Sequence, residues 1–355
     1  MFKKIDWWLI GALIFMAAAS LTSLSSTKPA LFQVQLIWFI LFFLIVFFAA
    51  KINWNWLISQ NWFLLSFYWL MIILLAVTLL ATRSVRGAHS WLILGPFRFQ
   101  PSELAKISLI LIFASFFSRR HLEVSLGKNI FISLFYFLIP AALVALQPAL
   151  GMAIIFFGIW FSFLIVSGLK WQRILASFLI FILVFSVLWM TFLRPYQKER
   201  ILGFIFPERN PLGTNYNVIQ SKIAIGSAGL FGKGFRQGTQ SQLGFLPEAQ
   251  TDFIFSAFVE EWGLVGGFLL IAAFLLIIWR IITIGIKSEG NCAKFICLGA
   301  AIALASQFFF NIGSCLGLSP VVGITFPFLS YGGSSLLTNA LLIGIIQNIA
   351  IESSF

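Results

Sequence analysis

A chain of 355 residues that is 60% hydrophobic and 10% charged, with 43 phenylalanines and a mean hydropathy of +1.00, has far more apolar surface than one water-soluble core can hide. This excludes a soluble globular class and leaves an integral membrane protein. The formal charge of +12 would suggest nucleic acid in a soluble chain; here it places basic loop ends against anionic lipid or an anionic substrate.

A helix needs about 20 apolar residues to cross a hydrocarbon layer of about 30 Å with its backbone bonds satisfied internally. Ten stretches qualify, at residues 7–24, 34–50, 62–81, 103–118, 129–146, 150–168, 173–193, 253–279, 292–316 and 328–350. The first is one of ten similar runs and reads as a membrane helix rather than a cleaved signal peptide. The expected fold class is all-α, a polytopic membrane protein whose residues 1–355 form a single membrane domain. An even number of spans puts both termini on one side. If Lys3 and Lys4 are cytoplasmic, that side also collects Lys51, Arg119, Arg120, Lys128, Lys170, Arg173, Arg280, Lys287 and Lys294, as the basic-inside bias expects. The opposite side holds Lys28, Arg83, Arg86 and Arg98, and one long extracytoplasmic loop, 194–252, between the seventh and eighth spans. A loop of this length in a compact protein is usually functional. It is too rich in Phe and Ile for a disordered tail, and its stretch from Asn217 to Ile225 suits an interfacial or re-entrant helix. Cys292, Cys297 and Cys315 fall in or beside one span, without CxxC or a nearby histidine, and read as small buried hydrophobes. The chain has no internal repeat and no low-complexity tract.

Three stretches carry the chemistry. In RGAHSWLILGPFRFQPSELAK, residues 86–106, Pro101 opens a helix with Ser102 as its cap, and Glu103 and Lys106 share one face. Lys106 then lies just inside the membrane, where an ionisable group needs a partner or a wet cavity. One reading is a local pair that only anchors the helix. The other, favoured by Arg83, Arg86 and Arg98 at the same surface, is a basic mouth for a phosphate-bearing ligand. His89, among apolar neighbours, reads as a packed or interfacial residue. In LGFLPEAQTDFIFSAFVEEWG, residues 243–263, four of the chain's 11 acids gather. Asp252 stands in the first turn of an apolar helix, where the helix dipole alone would account for it. Glu260 and Glu261 follow roughly 12 Å further in. They are buried charges needing partners, or they mark a polar crevice. In NIGSCLGLSPVVGITFPFLSYGGSS, residues 311–335, Pro320, Gly323 and Pro327 break a helix, and Tyr331 to Ser335 open the next. Such a break either lines a cavity or packs helices tightly through small residues. No P-loop, GxGxxG, HExxH or Ser-His-Asp pattern is present.

Taken in order, QPSELAK at 100–106, GKGFRQGTQSQLGFLPEAQTDFIF at 232–255 and the 311–335 stretch resemble the SEDS family (shape, elongation, division, sporulation). GTQSQL, FLPE and LSPVVGI favour its elongation branch over its division branch. The resemblance implies a peptidoglycan glycosyltransferase that polymerises lipid II at the outer face of the bacterial cytoplasmic membrane. It also implies a class B penicillin-binding protein and other elongation-complex membrane proteins as partners. Lipid II presents an α-linked diphosphate and the glycan is β-linked, so the transfer inverts at the anomeric carbon. It needs a base for the attacking 4-hydroxyl and cations for the departing diphosphate. Paired carboxylates are not required, because the diphosphate leaves unprotonated. By resemblance Asp252 is the base or its orienter. Lys106, with Arg86, Arg98, Glu103 and Ser334, would bind the substrate, and a divalent Mg or Mn ion would sit on the diphosphate. One departure stands out: the family's usual Pro-Asp-Leu-Gly-Thr is here QPALGMA, with Ala149 in the place of the acid and Met152 in that of Thr. Glu103 is then the acid nearest to hand for Lys106. A lipid II flippase would share the basic cavity and the broken helices, and a scaffold for the penicillin-binding protein is a third reading. Ionisable residues gathered toward one face favour surface chemistry over transport.

Overall fold

The computed structural model describes residues 4–81, 90–95, 97–120, 127–191, 193, 195–213 and 215–353. Local signals set the helix starts. The Asp6 carboxylate accepts from Leu9 N–H at 2.9 Å and caps α1 (Trp7–Thr27). Pro29, with φ preset and no N–H to lose, opens α2 (Pro29–Ala49). Asn53 caps the short α3 (Trp54–Ser59) by accepting from Trp56 N–H at 2.9 Å, and α4 (Asn61–Ala81) follows. A small antiparallel hairpin, β1 (Leu92–Leu94) and β2 (Phe97–Phe99), precedes α5 (Pro101–Arg120); helical periodicity gave no sign of it. Next come α6 (Gly127–Leu146), α7 (Leu150–Val166) and α8 (Trp171–Thr191).

The long loop is largely structured. It carries α9 (Pro195–Ile205), a 3-10 turn (Pro207–Arg209), α10 (Tyr216–Gly226) and α11 (Thr239–Gln242). The apolar stretch from Asn217 is helical as expected. Three long helices close the chain: α12 (Ile254–Lys287), α13 (Asn291–Leu316) and α14 (Gly333–Glu352). The last was expected to begin at 328. It begins at Gly333 because residues 317–332 are held in a non-helical path by the contacts described below.

Among the described residues eight helices are long and apolar enough to cross a membrane, and α7 and the first part of α8 are shorter apolar helices; together they match the ten expected spans. Burial sorts them. The most apolar window of α5 is 89% buried and that of α2 only 22%, so α5 is a helix enclosed by protein and α2 presents most of its surface outward.

The chain forms two compact units. The first unites Met1–Ala50, Glu199–Ile281 and Leu304–Gln347; the second unites Lys51–Lys198, Ile282–Ala303 and Asn348–Phe355. In the first, Asp6 pairs with Arg280, whose Nε lies 3.0 Å from Oδ2, and exchanges backbone hydrogen bonds with the Gln347 side chain. Gly344 and Gly333 let α14 lie against α2: a Cβ added there would stand 2.4 Å from Ala49 Cβ and from the Trp38 ring respectively. In the second, Gly299 of α13 packs against Ile110 and Phe163, and the Phe163 and Phe295 rings stack at 5.4 Å.

Candidate active site

The membrane helix α12 is broken near its start. Gly263 has φ 72 and ψ −177, outside the helical region. Residues 229–234 of the long loop fill the gap. Lys233 N–H donates to Glu260 O at 3.0 Å and Gly234 N–H to Glu261 O at 3.1 Å. From the other side of the break, Leu264 N–H donates to Gly229 O at 3.0 Å and Val265 N–H to Leu230 O at 3.1 Å. Backbone groups that a membrane helix cannot leave unpaired thereby find partners. Only glycine fits at the crossing. A Cβ on Gly263 would stand 2.3 Å from Gly232 N and Leu230 O, and one on Gly232 would stand 2.1 Å from Glu261 O.

The same loop answers the two buried acids. Glu260 is 0% exposed and accepts from Lys233 Nζ at 2.9 Å, Gln240 N–H at 2.8 Å, Ser241 N–H at 3.0 Å and Ser241 Oγ at 2.9 Å. Two of those donors are first-turn amides of α11, so the carboxylate of one helix caps another. Glu261 accepts from Ser26 Oγ and from Gln242 Nε2 at 3.2 Å. Glu260 is therefore a partnered charge, whereas Glu261 is held through Oε1 by neutral donors, with no hydrogen bond to its buried Oε2 among the described residues; through Lys233, Ser241 and Gln242 the two fasten the loop to α12.

Asp252 lies two residues before α12 begins, in a half-buried turn. Its segment is held by three hydrogen bonds, two from the non-helical stretch after α13 and one from Asn311 near the end of α13 itself. Tyr331 N–H donates to Gln250 O at 2.9 Å, Ser330 Oγ to Thr251 O at 2.7 Å, and Asn311 Nδ2 to Asp252 O at 3.0 Å. Asn311 also donates to Ile324 O at 2.8 Å, and Ser330 Oγ accepts from Phe326 N–H at 2.8 Å, so the clamp is itself tied down. Phe328 sits in this stretch at φ 65, a conformation unfavourable for a bulky residue, with its ring edge-on to Phe42 at 5.8 Å. On the Asp252 side, Glu248 has φ 55 and its side chain accepts from Thr251 Oγ1 at 3.0 Å. The break at 311–335 therefore does two jobs: it packs α14 closely through Gly333 and fixes the turn that carries Asp252. Of the four acids in 243–263, Glu260 and Glu261 are buried in protein, Glu248 accepts from Thr251, and Asp252 is half-buried in the clamped turn.

The other predicted residues fall as follows. Lys106 and Glu103 meet on α5 with Nζ to Oε2 at 2.9 Å, and both are buried. The local pair thus forms, with Glu103 as the acid for Lys106. Its burial makes it costly to keep, so stability alone is a poor reason for it. Ser102 is not the cap. The helix already starts at Pro101, Glu103 N–H donates to Gln100 O at 3.1 Å, and the Ser102 Oγ is buried without a hydrogen-bond partner among the described residues. Arg98 is exposed on β2, opposite Ile93. Ser334 is buried in the first turn of α14. Arg83, Arg86 and His89 lie outside the described residues. Asp252 and Ser334 belong to the first unit, and Lys106, Glu103 and Arg98 to the second. Ala149 stands at the start of α7, two residues after the buried Gln147. Gln147 donates to Leu75 O and Thr78 Oγ1, each at 2.7 Å, while its own Oε1 has no partner among the described residues. The three cysteines are free thiols; Cys297 and Cys315 are buried as expected, Cys292 is only half-buried, and Cys315 Sγ lies 3.6 Å from Asp252 O.

The chain matches the model of the FtsW/RodA/SpoVE family, described as cell cycle protein, over residues 2–354, and it belongs to that family. It is a multi-pass membrane protein of the SEDS type, as the motifs led us to expect. Peptidoglycan glycosyltransferase MrdB of Escherichia coli (strain K12) is 42% identical over 279 residues, covering 79% of this chain and 75% of that protein. Stage V sporulation protein E of Bacillus subtilis (strain 168) is 33% identical over 312 residues, 87% and 84% of the two chains. Among solved structures, a chain from a peptidoglycan synthase complex that coordinates polymerization and crosslinking matches with a TM-score of 0.83 and 32% identity, covering 98% of this chain and 97% of that one. The rod shape determining protein RodA of Thermus thermophilus matches with a TM-score of 0.74 and 27% identity over 98% and 96%.

Proposed function

We propose that this chain is a peptidoglycan glycosyltransferase that polymerises lipid II into β-1,4 glycan strands during cell elongation, in the bacterial cytoplasmic membrane. Both termini are cytoplasmic and the chemistry faces the extracytoplasmic side, which agrees with the basic loop ends on the terminal side. The observation that carries the reading is the triple clamp on the turn of Asp252 in a chain whose relatives are named for this activity.

The sugar 4-hydroxyl attacks the anomeric carbon of the donor and the carbon–oxygen bond to the diphosphate breaks. Asp252 takes the hydroxyl proton, and the undecaprenyl diphosphate leaves as an anion. A base fixed through its backbone loses little conformational freedom as the reaction proceeds, which is the use of the clamp. Lys106, held by Glu103, and the Arg98 and Arg86 guanidiniums supply positive charge for the diphosphate. Ser334 offers a hydroxyl at the start of α14. Among the described residues no three His, Cys, Asp or Glu gather into a metal cage, and Glu103, Glu260 and Glu261 already serve protein donors. A Mg or Mn ion would accordingly be carried chiefly by the substrate's own phosphates, and no step here runs through it.

By analogy with the synthase complex, a class B penicillin-binding protein crosslinks the strands that this chain makes. The test is to give lipid II to the purified chain with its cognate penicillin-binding protein, the transpeptidase being inactivated, and to separate the products by length. A ladder of glycan supports the proposal. Lipid II moved across liposomes without a ladder would assign transport instead.

A further inference from the structure

A cavity of about 360 Å³ opens in the second unit where α7 and α12 end and α13 begins, lined among others by Val166, Ile282, Ile286, Asn291, Lys294 and Phe295. None of the residues assigned to glycosyl transfer lines it, and it calls for its own occupant. Its size falls in the range of about 300–1,000 Å³ typical of small-molecule sites. We propose that it holds an acyl chain of an anionic phospholipid, with the lipid phosphate at Lys294.

The walls and the rim argue for the two halves of that ligand. Val166, Ile282 and Ile286 are 56%, 43% and 73% exposed, so apolar side chains stand open rather than packed on protein. Beneath them α12 and α13 touch, since a Cβ on Gly285 would stand 2.7 Å from Cys297 Cβ. An apolar cleft among membrane helices suits hydrocarbon. The rim lies at helix ends, the depth at which lipid phosphates sit. Lys294 lines the cavity and is exposed, Lys287 follows Ile286, and Lys170 and Arg173 follow Val166; Glu289 is the acid of the α12–α13 turn. Lys294 at the cavity, with three exposed cations and one acid close to its lining residues in sequence, complements an anionic headgroup. Basic pockets between membrane helices bind such lipids by this pairing of charge with acyl packing. A zwitterionic lipid would satisfy the walls but not the rim. The membrane helix of a partner protein would do the same.

The proposal does not rest on the glycosyltransferase reading and can be tested apart from it. The full chain is placed in nanodiscs of equal phosphatidylglycerol and phosphatidylethanolamine, released into a mass spectrometer under native conditions, and the retained lipids are counted. Phosphatidylglycerol should be retained about fivefold over phosphatidylethanolamine, the equivalent of about 1 kcal/mol for a cation near anionic lipid. Lys294→Gln should bring the two close to parity. Ile286→Trp, which fills the cleft and leaves the charge, should lower retention of both. Equal retention by the unaltered chain, or a preference untouched by Lys294→Gln, would overturn the site. So would loss of the retained lipid when the partner penicillin-binding protein binds, because the cleft would then belong to a protein helix.

Discussion

Replacing Glu260 by alanine should release the loop that completes α12. The carboxylate is fully buried and serves an ammonium, a hydroxyl and two backbone amides at 2.8–3.0 Å. Alanine leaves Gln240 and Ser241 N–H without their acceptor and Lys233 without its counter-charge. Removing one member of a buried charged pair costs about 3–5 kcal/mol. The Lys233 side chain is 23% exposed and regains part of its hydration, so the lower end, about 3 kcal/mol, applies. At about 1.4 kcal/mol per decade, that is roughly a hundredfold rise in local opening. Hydrogen exchange read on the amides of 229–242 measures it directly, with the amides of the enclosed α5 as internal reference. Glu260→Ala should exchange about a hundred times faster in that segment and normally in α5. Lys233→Ala, which leaves the carboxylate its amide and hydroxyl donors, should give a smaller rise. Exchange within about twofold of the unaltered chain in Glu260→Ala would refute the account of how the loop is held.

Three further substitutions probe other parts of the site. Gly263→Ala forces alanine into a positive-φ extended conformation that is essentially restricted to glycine, which costs about 1–3 kcal/mol before the overlap with Leu230 and Gly232 is counted; its melting midpoint in detergent should fall, and an unchanged midpoint would contradict the tight crossing. Asn311→Ala removes the donor to Asp252 O and should lower kcat by between about ten- and a hundredfold with KM little changed, as misplacement of a reacting group does; a rise in KM alone would make Asn311 a substrate-binding residue. Ala149→Asp restores the acid that the family motif usually carries and should preserve or raise polymerase activity; a stably folded Ala149→Asp chain that loses activity would count against that.

The spans were legible because a membrane helix is a continuous apolar run and nothing else in such a sequence competes with it. The break in α12 was not. Gly263 sits in a run as oily as its neighbours, and its conformation is dictated by residues 229–234, which only the folded chain brings to it. Glu260 and Glu261 could be read as buried charges needing partners, since burial follows from depth in the helix. Their partners Lys233, Ser241, Gln242 and Ser26 could not be read, because nothing local selects a donor some 20 residues away, still less one at the other end of the chain. Asn311 and Ser330 were visible only as members of a helix-breaking stretch; a polar amide deep in an apolar span was the signal that could have singled out Asn311. The Glu103–Lys106 pair was readable because three residues along a helix bring two side chains together whatever surrounds them. The Ser102 cap failed because Pro101 had already begun the helix one residue earlier.

The most direct test is glycan synthesis from lipid II by the purified chain and its penicillin-binding partner, run beside Asp252→Ala and Asp252→Asn. The account predicts long glycan from the unaltered chain and none from either variant, with all three proteins folded and partner-bound. Glycan of normal length and rate from the Asp252 variants would contradict it.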